Sequence, residues 1–200
     1  MIAAMPEAVP ITKQNAKAAG HAAAAGFLDN EIWEWIVPSE RRRGQMLRRH
    51  FPIIIRRVFL KHGTGWTSPD AKGACLWIPP GEPRRSTYQG LVEAVSLIPG
   101  IVGGIRRGER MEGLMDEHHP KEPHWYLETL SIAPEAQRKG YGSALLGPGL
   151  ELCDEQQLPA YLETQREANV PYYRRFGWEL TGTIKLDDSP PLWTMWREPR

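Results

Sequence analysis

Apolar residues recur at three- and four-residue intervals through Met46, Leu47, Phe51, Ile54, Ile55, Val58 and Phe59. This is the stripe of an amphipathic helix, and Ser39 is placed to cap it. Pro52 lies inside the stripe and predicts a kink or two shorter helices. Residues 15–28 are alanine-rich and helical by propensity, weakened by Gly20 and Gly26. Between the two, Asp29 is placed to cap a short turn carrying Trp33, Trp35 and Ile36, which Pro38 ends. Met1 to Thr12 reads as a tail or a weak first strand.

Beyond Lys61 the texture changes. Residues 62–73 are rich in Gly, Thr, Ser, Pro and Asp and predict a hairpin leading into a strand at 74–78, closed by Pro79-Pro80-Gly81. Helical patterns follow at 86–98 and 104–118, separated by Pro99-Gly100 and Gly103-Gly104. The second half predicts a strand at 125–132, a helix at 142–156, a strand at 160–164, a short helix at 169–176, and closing strands at 178–186 and 192–196. Gly147-Pro148-Gly149 predicts an irregularity in the longer helix. This order defines an α/β (α+β) fold with a mixed sheet. Tyr-Leu-Glu-Thr occurs at 126–129 and again at 161–164, too short a match for an internal repeat.

Composition narrows the class without naming a chemistry. Two hundred residues suit one domain, 1–200, and no linker divides them. A net charge of +1 supplies no global field for nucleic acid or an anionic membrane. No apolar run reaches the ~20 residues that span a bilayer, and the N-terminus has no secretory pattern. Cys75 and Cys153, alone and far apart, suit a reducing cytoplasm better than a disulfide framework or a thiolate metal site.

The informative segment is Leu130 to Leu146: a buried-looking strand, a turn at Pro134, a basic loop with Gly140 and Gly142, and a helix start. The glycines let backbone approach a ligand, and amides at a helix N-terminus bind anions. Arg138 and Lys139 add positive charge, so a phosphate or pyrophosphate is the natural occupant. A P-loop is absent, and Gly140, Gly142 and Leu145 fail the three-glycine dinucleotide pattern.

Gln137-Arg138-Lys139-Gly140-Tyr141-Gly142 after the strand Leu127 to Ile132, followed by Tyr173-Arg174-Arg175-Phe176-Gly177-Trp178, resembles the core of GNAT-type N-acetyltransferases. Trp178 stands where the family has Phe. The resemblance implies a GNAT-like, mostly antiparallel sheet with a splayed parallel strand pair, flanked by helices. Residues 1–123 would supply the acceptor side and 124–200 the acetyl-CoA-binding core. It further implies direct transfer of acetyl from acetyl-CoA, without a metal, to an amine on a small molecule or peptide, with a homodimer allowed for. The cofactor would contact Leu130, Ser131, Ile132, Gln137, Arg138, Lys139, Gly140, Tyr141, Gly142, Ser143 and Ala144, with Asn169 and Tyr172 nearby. Tyr173 aligns with the family's general acid. Glu128, a carboxylate in mid-strand, is the first choice of base, and Glu163 in the second Tyr-Leu-Glu-Thr is its rival.

The remaining features read as structural. The arginines at 41, 42, 43, 48, 49, 56 and 57 are expected on a solvated helix face. His118, His119 and His124, with Pro120 and Pro123 between them, are expected in a surface turn rather than around a metal. Trp33, Trp35 and Trp125 suit an acceptor pocket and a core equally. A CoA-binding sensor without turnover, or an acyltransferase with another donor or acceptor, is the alternative function.

Overall fold

The computed structural model describes residues 6–84, 86–97 and 103–200. Its elements in chain order are β1 (Val9–Pro10), α1 (Ala16–Gly26), α2 (Glu31–Ile36), α3 (Glu40–Arg57), β2 (Gly65–Thr67), β3 (Gly73–Ile78), α4 (Thr87–Leu97), α5 (Ile105–His118), β4 (Trp125–Ile132), α6 (Tyr141–Glu155), β5 (Ala160–Thr164), α7 (Val170–Arg174), β6 (Glu179–Ile184) and β7 (Leu192–Arg197). The expected Pro99-Gly100 break lies outside the described residues. The strands form one sheet in the order β1-β2-β3-β4-β5-β7-β6. Every neighbouring pair is antiparallel except β4 and β5. The mixed, mostly antiparallel sheet with one parallel pair, flanked by helices, is therefore the fold.

Strand alternation sorts the core into two layers. Leu76, Ile78, Tyr126 and Tyr161 face α1, α3 and α5. Cys75, Trp77, Trp125, Leu127, Ala160 and Leu162 face α6 and α7. By the same period Glu163 falls on the face of Tyr161, toward the N-terminal helices; Glu128 is the extra residue of a bulge opposite Leu76 and Trp77, and it lines a cavity on that same side. No helix among the described residues is long and apolar enough to cross a membrane.

Both helices with a proline in their interior, α3 and α6, are continuous. α3 runs through Pro52 as one helix, so the alternative of two shorter ones falls. Gly20 of α1 presses against that proline: a Cβ on Gly20 would lie 2.5 Å from Pro52 N. α6 likewise runs through Gly147-Pro148-Gly149. There a Cβ on Gly149 would lie 2.2 Å from the fully buried Trp77 ring, so the glycine sets how closely α6 approaches the sheet.

Two arginines break the expected pattern of charge outside and apolar inside. Arg43 is not on the solvated face with Arg41, Arg42, Arg48, Arg49, Arg56 and Arg57; it is 3% exposed. Its guanidinium donates to the carbonyls of Leu28 at 2.6 Å and Val37 at 2.9 Å and to Glu34 at 3.1 Å, which ties both ends of α2 to α3. α2 itself is capped by Asn30, whose side chain accepts from the Ile32 and Trp33 amides, rather than by Asp29. Arg197, also 3% exposed, makes a two-pronged pair with Asp154 at 2.8 Å on each arm and fastens β7 to α6.

Replacing one partner of a buried ion pair leaves the other charge unpaired. Asp154→Asn is expected to lower unfolding free energy by about 3 kcal/mol in urea titrations at neutral pH. The Arg197 hydrogen bonds hold the Asp154 carboxyl below its ordinary value. Its contribution is therefore present above the ordinary aspartate pKa of about 3.9 and lost as pH falls through the lowered folded value. The difference between the two proteins should shrink in acid.

Candidate active site

β4 and β5 pair only at Trp125 with Ala160 and Tyr126 with Tyr161. Past those residues they part. β4 stays paired to β3 as far as Ile132, and β5 stays paired to β7 as far as Thr164. Each strand is held on its outer side while the inner edges separate, which leaves backbone N–H and C=O groups of β4 facing a gap. A cavity of about 580 Å³ fills it. Leu127, Glu128, Leu130, Ser131 and Ile132 line it from β4, and Leu162, Glu163 and Thr164 from β5.

The basic loop closes one end. Arg138 (φ 59°) and Gly140 (φ 87°) both take left-handed backbone. Gly140 does so without strain, whereas Arg138 does so at a cost on the order of 1 kcal/mol. The first intrahelical bond of α6 runs from the Ala144 amide to the Gly140 carbonyl at 3.0 Å. The amides of Tyr141, Gly142 and Ser143 precede that ladder, at the positive end of the helix dipole. Gln137 lines the cavity too, and its side-chain amide donates to the Ile132 carbonyl at 3.1 Å, which latches the loop to the end of β4.

α7 closes the other wall. The Tyr172 hydroxyl is buried without a hydrogen-bond partner, and a Cβ on Gly142 would lie 2.8 Å from it. Burial pushes its phenol up to about 12. Tyr173 lines the same cavity while its ring packs 6.1 Å from Trp178. Burial raises its phenol well above the usual tyrosine range, so both groups stay protonated at neutral pH. Asn169 lines the cavity and donates to the Thr164 hydroxyl at 3.0 Å.

The sequence-predicted residues are thus mostly brought together, with three exceptions. Lys139 is exposed and does not line the cavity. Tyr141 turns away and donates to Asp70 at 2.9 Å. Ala144 has its amide inside the helix ladder. Sequence reasoning passed over Arg175, which lines the cavity with its guanidinium 5.0 Å from the centre of the Tyr172 ring. It lay between the tyrosine and glycine of a recognised motif, where it read as a spacer.

A second chamber of about 430 Å³ lies on the α1–α5 face. Phe27, Ile32, Trp33, Ile36, Phe51 and Met111 give it apolar walls, with Glu109, Glu112 and Arg84 at its polar side. Arg84 is held at 2.6 Å by both Glu112 and Asp116. Glu128, Phe27 and Gln165 line both cavities, so the two meet at Glu128. The Thr129 hydroxyl donates to one oxygen of that carboxylate. Of the three tryptophans, Trp33 faces the chamber, Trp35 lies under the Arg107 guanidinium, and Trp125 belongs to the core.

The histidines are not in a surface turn as a group. His118 is exposed. His119 and His124 sink into a nest of Tyr126, Tyr161 and Trp196, their rings 4.8 Å apart.

Residues 86–178 match the model of the Acetyltransferase (GNAT) family. An uncharacterised N-acetyltransferase of Schizosaccharomyces pombe is 29% identical over 158 residues, 73% of this chain. The aligned region spans only 62% of that relative's length. A Corynebacterium glutamicum structure described as histone acetyltransferase HPA2 and related acetyltransferase superposes with a TM-score of 0.71 at 23% identity, over 98% of each chain. The C-terminal condensation domain of Ebony superposes with a TM-score of 0.62 at 12% identity, over 96% of this chain and 98% of its own. Residues 86–178 therefore carry the likeness to the GNAT acetyltransferase family, within a fold shared with these structures. That family consists of acetyltransferases that typically use acetyl-CoA.

Proposed function

We propose that the protein transfers acetyl from acetyl-CoA directly to a primary amine carried on an apolar body. The meeting of a phosphate-suited cleft and an apolar chamber at the single carboxylate of Glu128 carries this reading. The cleft offers what a CoA thioester needs: free amides at the start of α6 for the diphosphate, and an unpaired β4 edge for the amide-bearing arm. Acetyl-CoA supplies an activated acyl group, and the chain supplies positioning and proton transfer.

Glu128 accepts the proton that the acceptor ammonium must lose before its nitrogen can attack. Tyr173, protonated and in the cleft, donates to the departing thiolate. The buried Tyr172 hydroxyl and the bare Gly142 hold the loop open to the ligand. Aromatic and aliphatic walls of the chamber take the acceptor's body by burial of apolar surface. Arg84, paired twice, leaves a cationic acceptor less repelled than a free arginine would.

Calorimetry should show acetyl-CoA binding that Gly142→Ala weakens about tenfold, the equivalent of ~1.4 kcal/mol, because the new methyl meets the Tyr172 hydroxyl. No binding by the wild type would overturn the cofactor assignment. In a free-thiol assay over a panel of amines, apolar amines should give the highest kcat/KM. Glu128→Gln and Tyr173→Phe are each expected to lower kcat by about 100-fold with little change in the KM for acetyl-CoA. Tyr172→Phe should instead raise that KM. Binding without turnover on any amine would favour a CoA sensor.

A further inference from the structure

One buried polar chain is left without a task by this chemistry. Glu163 faces the cleft with its side chain 2% exposed, within reach of the Tyr126 and Tyr161 hydroxyls. A carboxylate buried this deeply is costly even beside two phenols, so its retention calls for a cause. His119 Nδ1 lies 4.0 Å from Glu163 Oε1 and is buried without a hydrogen-bond partner. His119 Nε2 lies 3.2 Å from His124 Nε2, and His124 Nδ1 lies 2.6 Å from the Glu122 carbonyl oxygen.

These contacts admit a single neutral arrangement of protons. A carbonyl only accepts, so His124 carries its proton on Nδ1 and leaves Nε2 bare. His119 must then donate from Nε2, which leaves its Nδ1 lone pair toward Glu163. The line of donors and acceptors runs one way, from the cleft to the loop at Glu122. A surface depression lined by His118, Glu122, Tyr161 and Trp196 opens there.

We infer that Glu163, His119 and His124 form a proton relay that carries the acceptor amine's proton from the cleft to solvent. This rests on the acetyltransferase reading above. Glu163 and Glu128 follow the last paired residues of β5 and β4 on the same face, and both line the cleft. Glu163 takes over from Glu128 the proton that the ammonium gave up, its own O–H bond forming as that of Glu128 breaks. Its carboxyl O–H bond breaks as an N–H bond forms at His119 Nδ1, the His119 Nε2 proton passes to His124 Nε2, and the His124 Nδ1 proton leaves to water beside Glu122. The rings then reorient, and no other reactant is required. The 4.0 Å step exceeds a hydrogen bond, and rotation about the broad terminal torsion of Glu163 closes it.

The groups facing the relay are consistent with this direction. Tyr126 and Tyr161 approach Glu163 from β4 and β5. Burial, then the Glu163 charge, raises both phenols, so they stay protonated and add no competing base. Arg84 opposes that shift in both, and Glu128 adds to it at Tyr126. Burial, outweighing Glu122 and Glu163, lowers the His124 pKa, so this ring is neutral at neutral pH and free to receive a proton at Nε2.

The test is kcat at saturating acetyl-CoA and amine, from about pH 6.5 to about pH 9.5, for wild type, His119→Gln and His124→Phe. The phenylalanine keeps the aromatic packing, and acetyl-CoA binding by calorimetry reports that each variant is folded. A relay predicts a loss of about tenfold at pH 7 that fades toward alkaline pH, where bulk base takes the proton, and that added imidazole partly restores. A loss equal at every pH and unmoved by imidazole overturns the relay while leaving the transferase intact. No turnover by the wild type removes both. Should either variant fail to fold, the wild type's rate in mixed light and heavy water decides. A bowed dependence, from several protons in flight, supports the relay, and a linear one overturns it.

Discussion

The parting of β4 and β5 after two paired residues is the constraint on which the rest of the molecule depends. Neither strand can close the gap, because β3 holds the far edge of one and β7 the far edge of the other. Backbone donors and acceptors inside a fold need partners. A sheet that withholds them from a neighbouring strand presents them to a ligand instead. The loop before α6, the tyrosines of α7 and the carboxylates on the opposite face are arranged around that one opening.

The opening also sorts chemistry by side of the sheet. The helix N-terminus, Arg138 and Arg175 gather positive potential on one side of the opening. The carboxyl groups of Glu128 and Glu163 lie toward the other face. Positive and negative ends are thereby kept apart by the sheet itself, which explains how a chain of net charge +1 can hold two strongly polar sites.

How much was legible in the chain follows from which forces act locally. The helix stripe at 46–59, the strands at 125–132 and 160–164, and the loop through Gly140 and Gly142 announce themselves by period and by glycine. So does the pairing of that loop with Tyr173. Lys139, Tyr141 and Ala144 neighbour the glycines in the chain; the side chains of Lys139 and Tyr141 turn outward and the Ala144 amide enters the helix ladder, while the Tyr141 amide stays free at the start of α6. Arg43 looks like its six exposed neighbours, and only the Leu28 and Val37 carbonyls on either side of α2, with Glu34, draw it inside. His119 and His124 flank Pro120 and Pro123, a sound sign of a loop. That the loop folds inward against Tyr161 and Trp196 depends on contacts across 37 to 72 residues, to which no local pattern refers.

The contact between Gly20 and Pro52 has a consequence for how this chain can change. α1 lies so close to α3 that a side chain at 20 would strike the proline's nitrogen, Cα and ring. The missing amide hydrogen, a defect in an isolated helix, is here the feature that leaves room for a neighbour's backbone. The two positions therefore form one heritable unit. A chimera that imported a larger residue at 20 from a relative, without the matching segment around 52, would push apart the two helices that back the sheet.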